Sequence, residues 1–129
     1  DTLILNEDRK RIKPNILKSE EHYFLIDHDK AFEGSGHALK LLQNGNLNYY
    51  HHLFFEILRT EERKLKLVRF ETFEEYLRLM NLRTLKLQVQ RLEDLGFAVD
   101  ECYDWIKYLE YIKSNSSIFV TLLKNSIRS

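Results

Sequence analysis

From residue 47 onward the apolar side chains of this chain recur every three or four positions; before it they do not. That change of period constrains the fold more than any other feature. The second part must form amphipathic helices whose apolar stripes need one another for burial, and the first part must do something else. "LNYYHHLFFEILR" can start a helix at an Asn48 cap. "TFEEYLRLM" opens with Thr72 and Glu75 at capping-box spacing and sets Phe73, Tyr76, Leu77 and Met80 on one face. "NLRTLKLQVQRLEDLGF" places Leu82, Leu85, Val89 and Leu92 on a stripe and stops at Gly96, with Phe97 expected to fold back behind it. Asp100 is the expected cap of a helix carrying Trp105, Ile106, Leu109 and Ile112. Asn115 or Ser116 would cap the last helix, with Phe119, Leu122, Leu123 and Ile127 inward.

The first part reads differently. "NILKSEEHYFLID" is two apolar stretches around Ser19-Glu20-Glu21, the pattern of a β-hairpin with a polar turn. Tyr23, Phe24, Leu25 and Ile26 leave no polar face, so the second strand is expected to be covered on both sides. "EGSGH" (33–37) and "NGN" (44–46) bracket a loop, with room for a short helical turn around Leu39 to Leu42. The expected fold class is α+β, mostly α: a short hairpin followed by about five helices. With no internal boundary, residues 1–129 form a single domain, divided into 1–32, a 33–46 loop and a helical 47–129.

Composition narrows the function. An apolar share of 43% supports a core, and 20 basic against 20 acidic side chains leave no global field for nucleic acid or an acidic membrane. The basic cluster Arg9-Lys10-Arg11-Ile12-Lys13 lacks interleaved aromatics and reads as a solvated loop. No apolar run approaches the roughly 20 residues of a membrane span. One cysteine, Cys102, excludes an internal disulfide and fits a reducing, cytoplasmic setting. None of the five histidines forms the i, i+4 pair of a helical zinc site; His51 and His52 are adjacent and diverge by about 100° on a helix.

Three polar residues stand where the apolar pattern would not put them. Asp8 opens the loop "NEDRKRIKPN", Asn15 closes it at the start of the first strand, and Asp27 ends the second. A hairpin returns its end to its beginning, so Asn15 and Asp27 should be neighbours, with Asp8 able to lean over the same spot. One carboxamide and one carboxylate suit magnesium, which keeps waters and takes other ligands from phosphate. A further carboxylate can orient or deprotonate a hydroxyl. An Asp, an Asn and an Asp at a strand end make a kinase-type layout. Two of them, and the neighbouring Asp29, also have a plainer use. Asp8 could pair with Arg9 or Arg11, Asn15 could be a turn residue after Pro14, and Asp29 could be a loop acid.

The stretch "LILNEDRKRIKPNILKSEEHYFLIDHDKAF" (3–32) resembles the HipA-like kinase family through N-x-D-R, P-N-I-L and I-D-H. The helical part is similar to that family's C-terminal lobe only loosely, through "HHLFFEIL" and "WIKYLEYIKSNSSIFVTLL". The resemblance implies an ATP- and magnesium-dependent phosphotransferase acting on a hydroxyl, with a protein side chain as one candidate acceptor. It makes Asp8 the catalytic residue and Asn15 and Asp27 the metal ligands, with Asn6 and Arg9 shaping the loop. Only seven residues precede Asp8, and no Gly-rich nucleotide-holding lobe stands among them. The chain, which begins with Asp1, is therefore expected to be a fragment of a larger kinase-like protein and inactive alone. The alternative is a catalytically inactive helical protein-binding module; a partner-binding component of a toxin–antitoxin pair is a third reading.

Overall fold

The structure, a computed structural model, describes residues 3, 5–6, 15–47, 53–60 and 68–128. Among these, two short strands precede six helices, as the α+β, mostly helical expectation requires. β1 (Ile16–Lys18) and β2 (Tyr23–Leu25) pair antiparallel with Ile16 opposite Leu25 and Lys18 opposite Tyr23. Ser19 closes the turn: its amide donates to the His22 carbonyl at 2.9 Å, and its Oγ accepts from the His22 amide at 3.1 Å.

The hairpin differs from expectation in its surroundings. Tyr23 is 68% and Phe24 55% exposed, and Leu25 and Ile26 also face solvent. A continuous apolar run carries no face of its own, so it marks a strand without saying whether anything covers it.

The segment expected as a loop over 33–46 is instead largely a helix, α1 (Ser35–Gln43). The glycines that suggest a loop serve its two ends. Gly34 sits at the N-cap with φ 71°, and Gly45 follows the last turn with φ 73°. At that end Gly45 N–H donates to Leu42 O and Asn46 N–H to Leu41 O, both at 2.9 Å, which is the Schellman closure.

The other helices are α2 (Leu53–Thr60), α3 (Phe70–Leu79), α4 (Arg83–Asp94), α5 (Asp100–Ser114) and α6 (Ser116–Arg128). These are the five helices expected beyond residue 46; the Asn48 cap falls outside the described residues. Gly96 ends α4 as expected, at φ 84°, with Phe97 N–H on Leu92 O and Gly96 N–H on Glu93 O. Phe97 itself stays largely in solvent rather than folding back. The expected starts shift: α3 begins at Phe70, putting Thr72 inside the first turn, and Asp100 is the first residue of α5 rather than its cap. No side chain caps either helix; acids in the first turn, Glu71 in α3 and Asp100 with Glu101 in α5, favour the positive end of the dipole instead.

α5 is the central element, with α1, α3, α4 and α6 packed around it. The main core joins Leu42, Leu77, Tyr108, Leu109, Ile112, Phe119, Val120, Leu123 and Ile127 to Leu5 from the start of the chain. A second, smaller cluster of Val89, Val99 and Ile106 lies between α4 and α5, with Cys102 against it. The Cys102 thiol thus sits beside apolar packing. No helix among the described residues is long and apolar enough to cross a membrane.

Tyr108 is wholly inaccessible to solvent, and burial pushes its phenol well above the ordinary value of 10.0. A raised folded-state pKa contributes stability that is complete below the unfolded value and is lost as pH climbs beyond it. Stability should therefore fall above about pH 10, with Tyr108 contributing about 1.4 kcal/mol per pH unit. The hydrogen bond from Tyr103 to Glu93 raises that phenol too, and adds loss of the same sign. Urea unfolding at a series of alkaline pH values should show a shallower decline for Tyr108→Phe than for the parent. Identical slopes would refute this account of the buried phenol.

Candidate functional site

The base of the hairpin brings Asn15 and Asp27 together. Antiparallel pairing continues past the strands, with Ile26 N–H donating to Asn15 O at 3.0 Å. Across that closing rung Asn15 Nδ2 donates to Asp27 Oδ2 at 3.2 Å. Both residues have left-handed backbones, φ 47° at Asn15 and φ 60° at Asp27. Asn and Asp tolerate this region better than other side chains because their short polar groups bond locally.

Asn6 approaches the same point from the start of the chain. It is only 1% exposed, and its Nδ2 donates to the Asp27 backbone carbonyl at 3.4 Å. Leu5, immediately before it, lies in the main core with φ 55°. For a leucine that conformation costs about 1–2 kcal/mol, which core burial at this position can offset. The apolar core thus fixes Leu5, Leu5 fixes Asn6, and Asn6 holds the backbone that carries the Asp27 carboxylate.

The expected pair of Asn15 and Asp27 is therefore side by side. Asp8 and Arg9, expected to complete the loop, lie outside the described residues, as do His51, His52 and the Arg9–Lys13 cluster. Asp29 is exposed two residues beyond Asp27. Among the described residues no three His, Cys, Asp or Glu side chains assemble into a group that could hold a metal ion. The Asn15–Asp27 pair is a different donor set, one carboxamide oxygen and one carboxylate. Its all-oxygen chemistry fits magnesium, which binds through one or two protein groups and completes its shell with water and phosphate. The amide N–H of Asn15 faces the Asp27 carboxylate.

Beyond Asp27 the chain turns along a cleft not anticipated from the sequence. His28 and Asp29 line its near end, Gly34 to Gly36 its wall, and Glu101, Asp104 and Trp105 of α5 the opposite side. Phe32 stacks on Trp105, with ring centroids 5.5 Å apart and planes at 24°. Phe32 also has a left-handed backbone, φ 64°, unusual for an aromatic residue and compensated by its packing against the core. At Gly36 a Cβ would lie 3.4 Å from Asp104 Oδ2, an ordinary van der Waals contact.

A second groove, between α4 and α5, is lined by Arg83, Lys86, Glu110 and Lys113. Two of its cations are engaged internally: Lys86 pairs with Glu110, and Lys113 Nζ donates to the Met80 carbonyl at 2.6 Å. No family model, curated protein or solved structure matches this chain.

Proposed function

We propose that this chain carries the catalytic-loop and metal-binding part of an ATP- and magnesium-dependent phosphotransferase of HipA-like type, acting on a hydroxyl. The observation that supports this reading is the Asn15–Asp27 hydrogen bond at the hairpin base, with Asn6 holding the Asp27 backbone from behind. Turn residues alone need no buried asparagine anchored on the carbonyl of an exposed aspartate.

In this reading Asn15 and Asp27 present a carboxamide oxygen and a carboxylate to magnesium. Magnesium, when bound, neutralises charge on the phosphate oxygens. Asp8, two residues after Asn6 in sequence, orients the acceptor hydroxyl and takes its proton as the oxygen attacks the terminal phosphorus and the bond from that phosphorus to the bridging oxygen breaks, releasing ADP. Asn6 acts through Asp27, limiting the freedom of its backbone so that its carboxylate need not reorganise on loading.

The reading is tested with Mn²⁺ as a paramagnetic probe. Low concentrations should broaden the amide signals of Asn15, Ile16, Ile26 and His28 before those of the helices. Asn15→Ala should raise the concentration required by about tenfold or more. Uniform broadening, or an unchanged titration in Asn15→Ala, would remove the metal site from the proposal.

The exposed apolar hairpin, with Leu17, Tyr23 and Phe24 all more than half in solvent, favours a second reading. A helical protein-binding module without catalysis would use such a face for docking. The manganese titration separates the two, because a docking hairpin gives no selective broadening at Asn15 and Asp27.

A further inference from the structure

We propose that the cleft between the segment following Asp27 and helix α5 binds an arginine side chain of a polypeptide. Three features converge on this chemistry. First, the lining carries the carboxylates of Asp29, Glu33, Glu101 and Asp104, and no Lys or Arg. Lys30 lies 3.6 Å from Glu33 and Lys107 3.4 Å from Asp104, which leaves Asp29 and Glu101 without an ion-pair partner among the described residues. The acids are spread along the cleft rather than gathered into a metal cage. They therefore suit an extended cation better than a bare ion.

Second, Ser35 lines the cleft although it is only 4% exposed, and its hydroxyl has no hydrogen-bond partner among the described residues. A buried hydroxyl left unpaired is destabilising, and an incoming N–H donor removes that cost. Third, the stacked rings of Phe32 and Trp105 give a flat aromatic surface beside the acids. A guanidinium meets all three demands at once. It is planar, it stacks on aromatic faces, and its five N–H donors can serve carboxylates and a hydroxyl together. An ammonium would satisfy the acids but make poorer use of the flat rings.

The cleft begins at His28 and Asp29, one and two residues past Asp27. If the phosphotransferase reading holds, on which this step alone rests, the arginine belongs to the acceptor polypeptide and sets its position relative to the Asp27 carboxylate. Binding itself needs neither nucleotide nor magnesium. The titration below can therefore fail while metal binding succeeds, and the reverse.

Trp105 is the single tryptophan of the chain, so its fluorescence reports on this cleft alone. Triarginine peptide, blocked at both ends, should change that emission saturably in the 129-residue chain, and triglutamate should not. Asp29 and Glu101 are exposed, and the double substitution Asp29→Asn with Glu101→Gln leaves the core intact. It should weaken triarginine binding by at least about tenfold. Ser35→Ala should weaken it by a smaller factor without altering the fold. The proposal is overturned by an absent or unsaturable response, by an equal response to triglutamate, or by a double variant that titrates like the parent.

Discussion

Asp27→Ala is expected to lower magnesium-dependent phosphotransfer by about a thousandfold or more, because it removes the one carboxylate in the pair assigned to the metal. The assay belongs on the native polypeptide purified from its source cells, with the substitution made in the gene and labelled ATP followed into the acceptor. Asp27 also sits at φ 60°, which alanine tolerates less well, so stability is measured beside transfer. Its side chain is exposed, and its carboxylate makes a 3.2 Å hydrogen bond to a half-buried Asn15. A bond of that kind contributes about 0.5–1.5 kcal/mol to folding. Loss of transfer with little loss of stability would therefore report chemistry. The Asn6 anchor survives the substitution, since it is made to the backbone carbonyl. Turnover within a few-fold of the parent would sink the phosphotransferase assignment and leave the docking reading of the exposed hairpin.

Asn15 and Asp27 could be paired from the sequence because a hairpin is a local object. Once Ser19-Glu20-Glu21 is read as the turn, the second strand must run back along the first, and the register sets Asn15 opposite Ile26, one residue from Asp27. The helical faces were legible for a similar reason, since a 3.6-residue period is internal to each segment. Leu77, Val89, Ile112 and Phe119 are buried as their stripes require, although Tyr76, on the stripe of Leu77, and Leu92, on that of Val89, reach solvent. Features that join distant segments were not legible. The cleft unites residues 28–36 with 101–105, and no local pattern links Ser35 to Trp105. Helix α1 was obscured by Gly34, Gly36 and Gly45, which look alike in sequence. Two serve its ends through positive φ, and the third lies inside the helix. The exposure of Tyr23 to Ile26 depends on what packs on the hairpin, which lies outside the strand itself.

Ile112→Ala should destabilise the chain by about 2–5 kcal/mol, measured by urea unfolding against Leu87→Ala as a surface control. Ile112 has no solvent exposure and lies in the main core on α5, the helix around which four others pack. The substitution deletes three carbons. At about 0.8 kcal/mol per buried methylene, transfer alone accounts for roughly 2.4 kcal/mol, and any cavity left behind adds to it. Leu87 is 52% exposed on α4, so its truncation should cost only about 0.5 kcal/mol. The effect should also reach the candidate site. Leu5 belongs to the same core cluster as Ile112, and Asn6 directly follows it onto the Asp27 carbonyl. Loosening the cluster should therefore speed hydrogen exchange at Ile26, whose amide closes the hairpin base on Asn15. A loss of stability without that local change would mean that the hairpin base stands apart from the helical core, and that Asn6 is held by Asp27 rather than holding it.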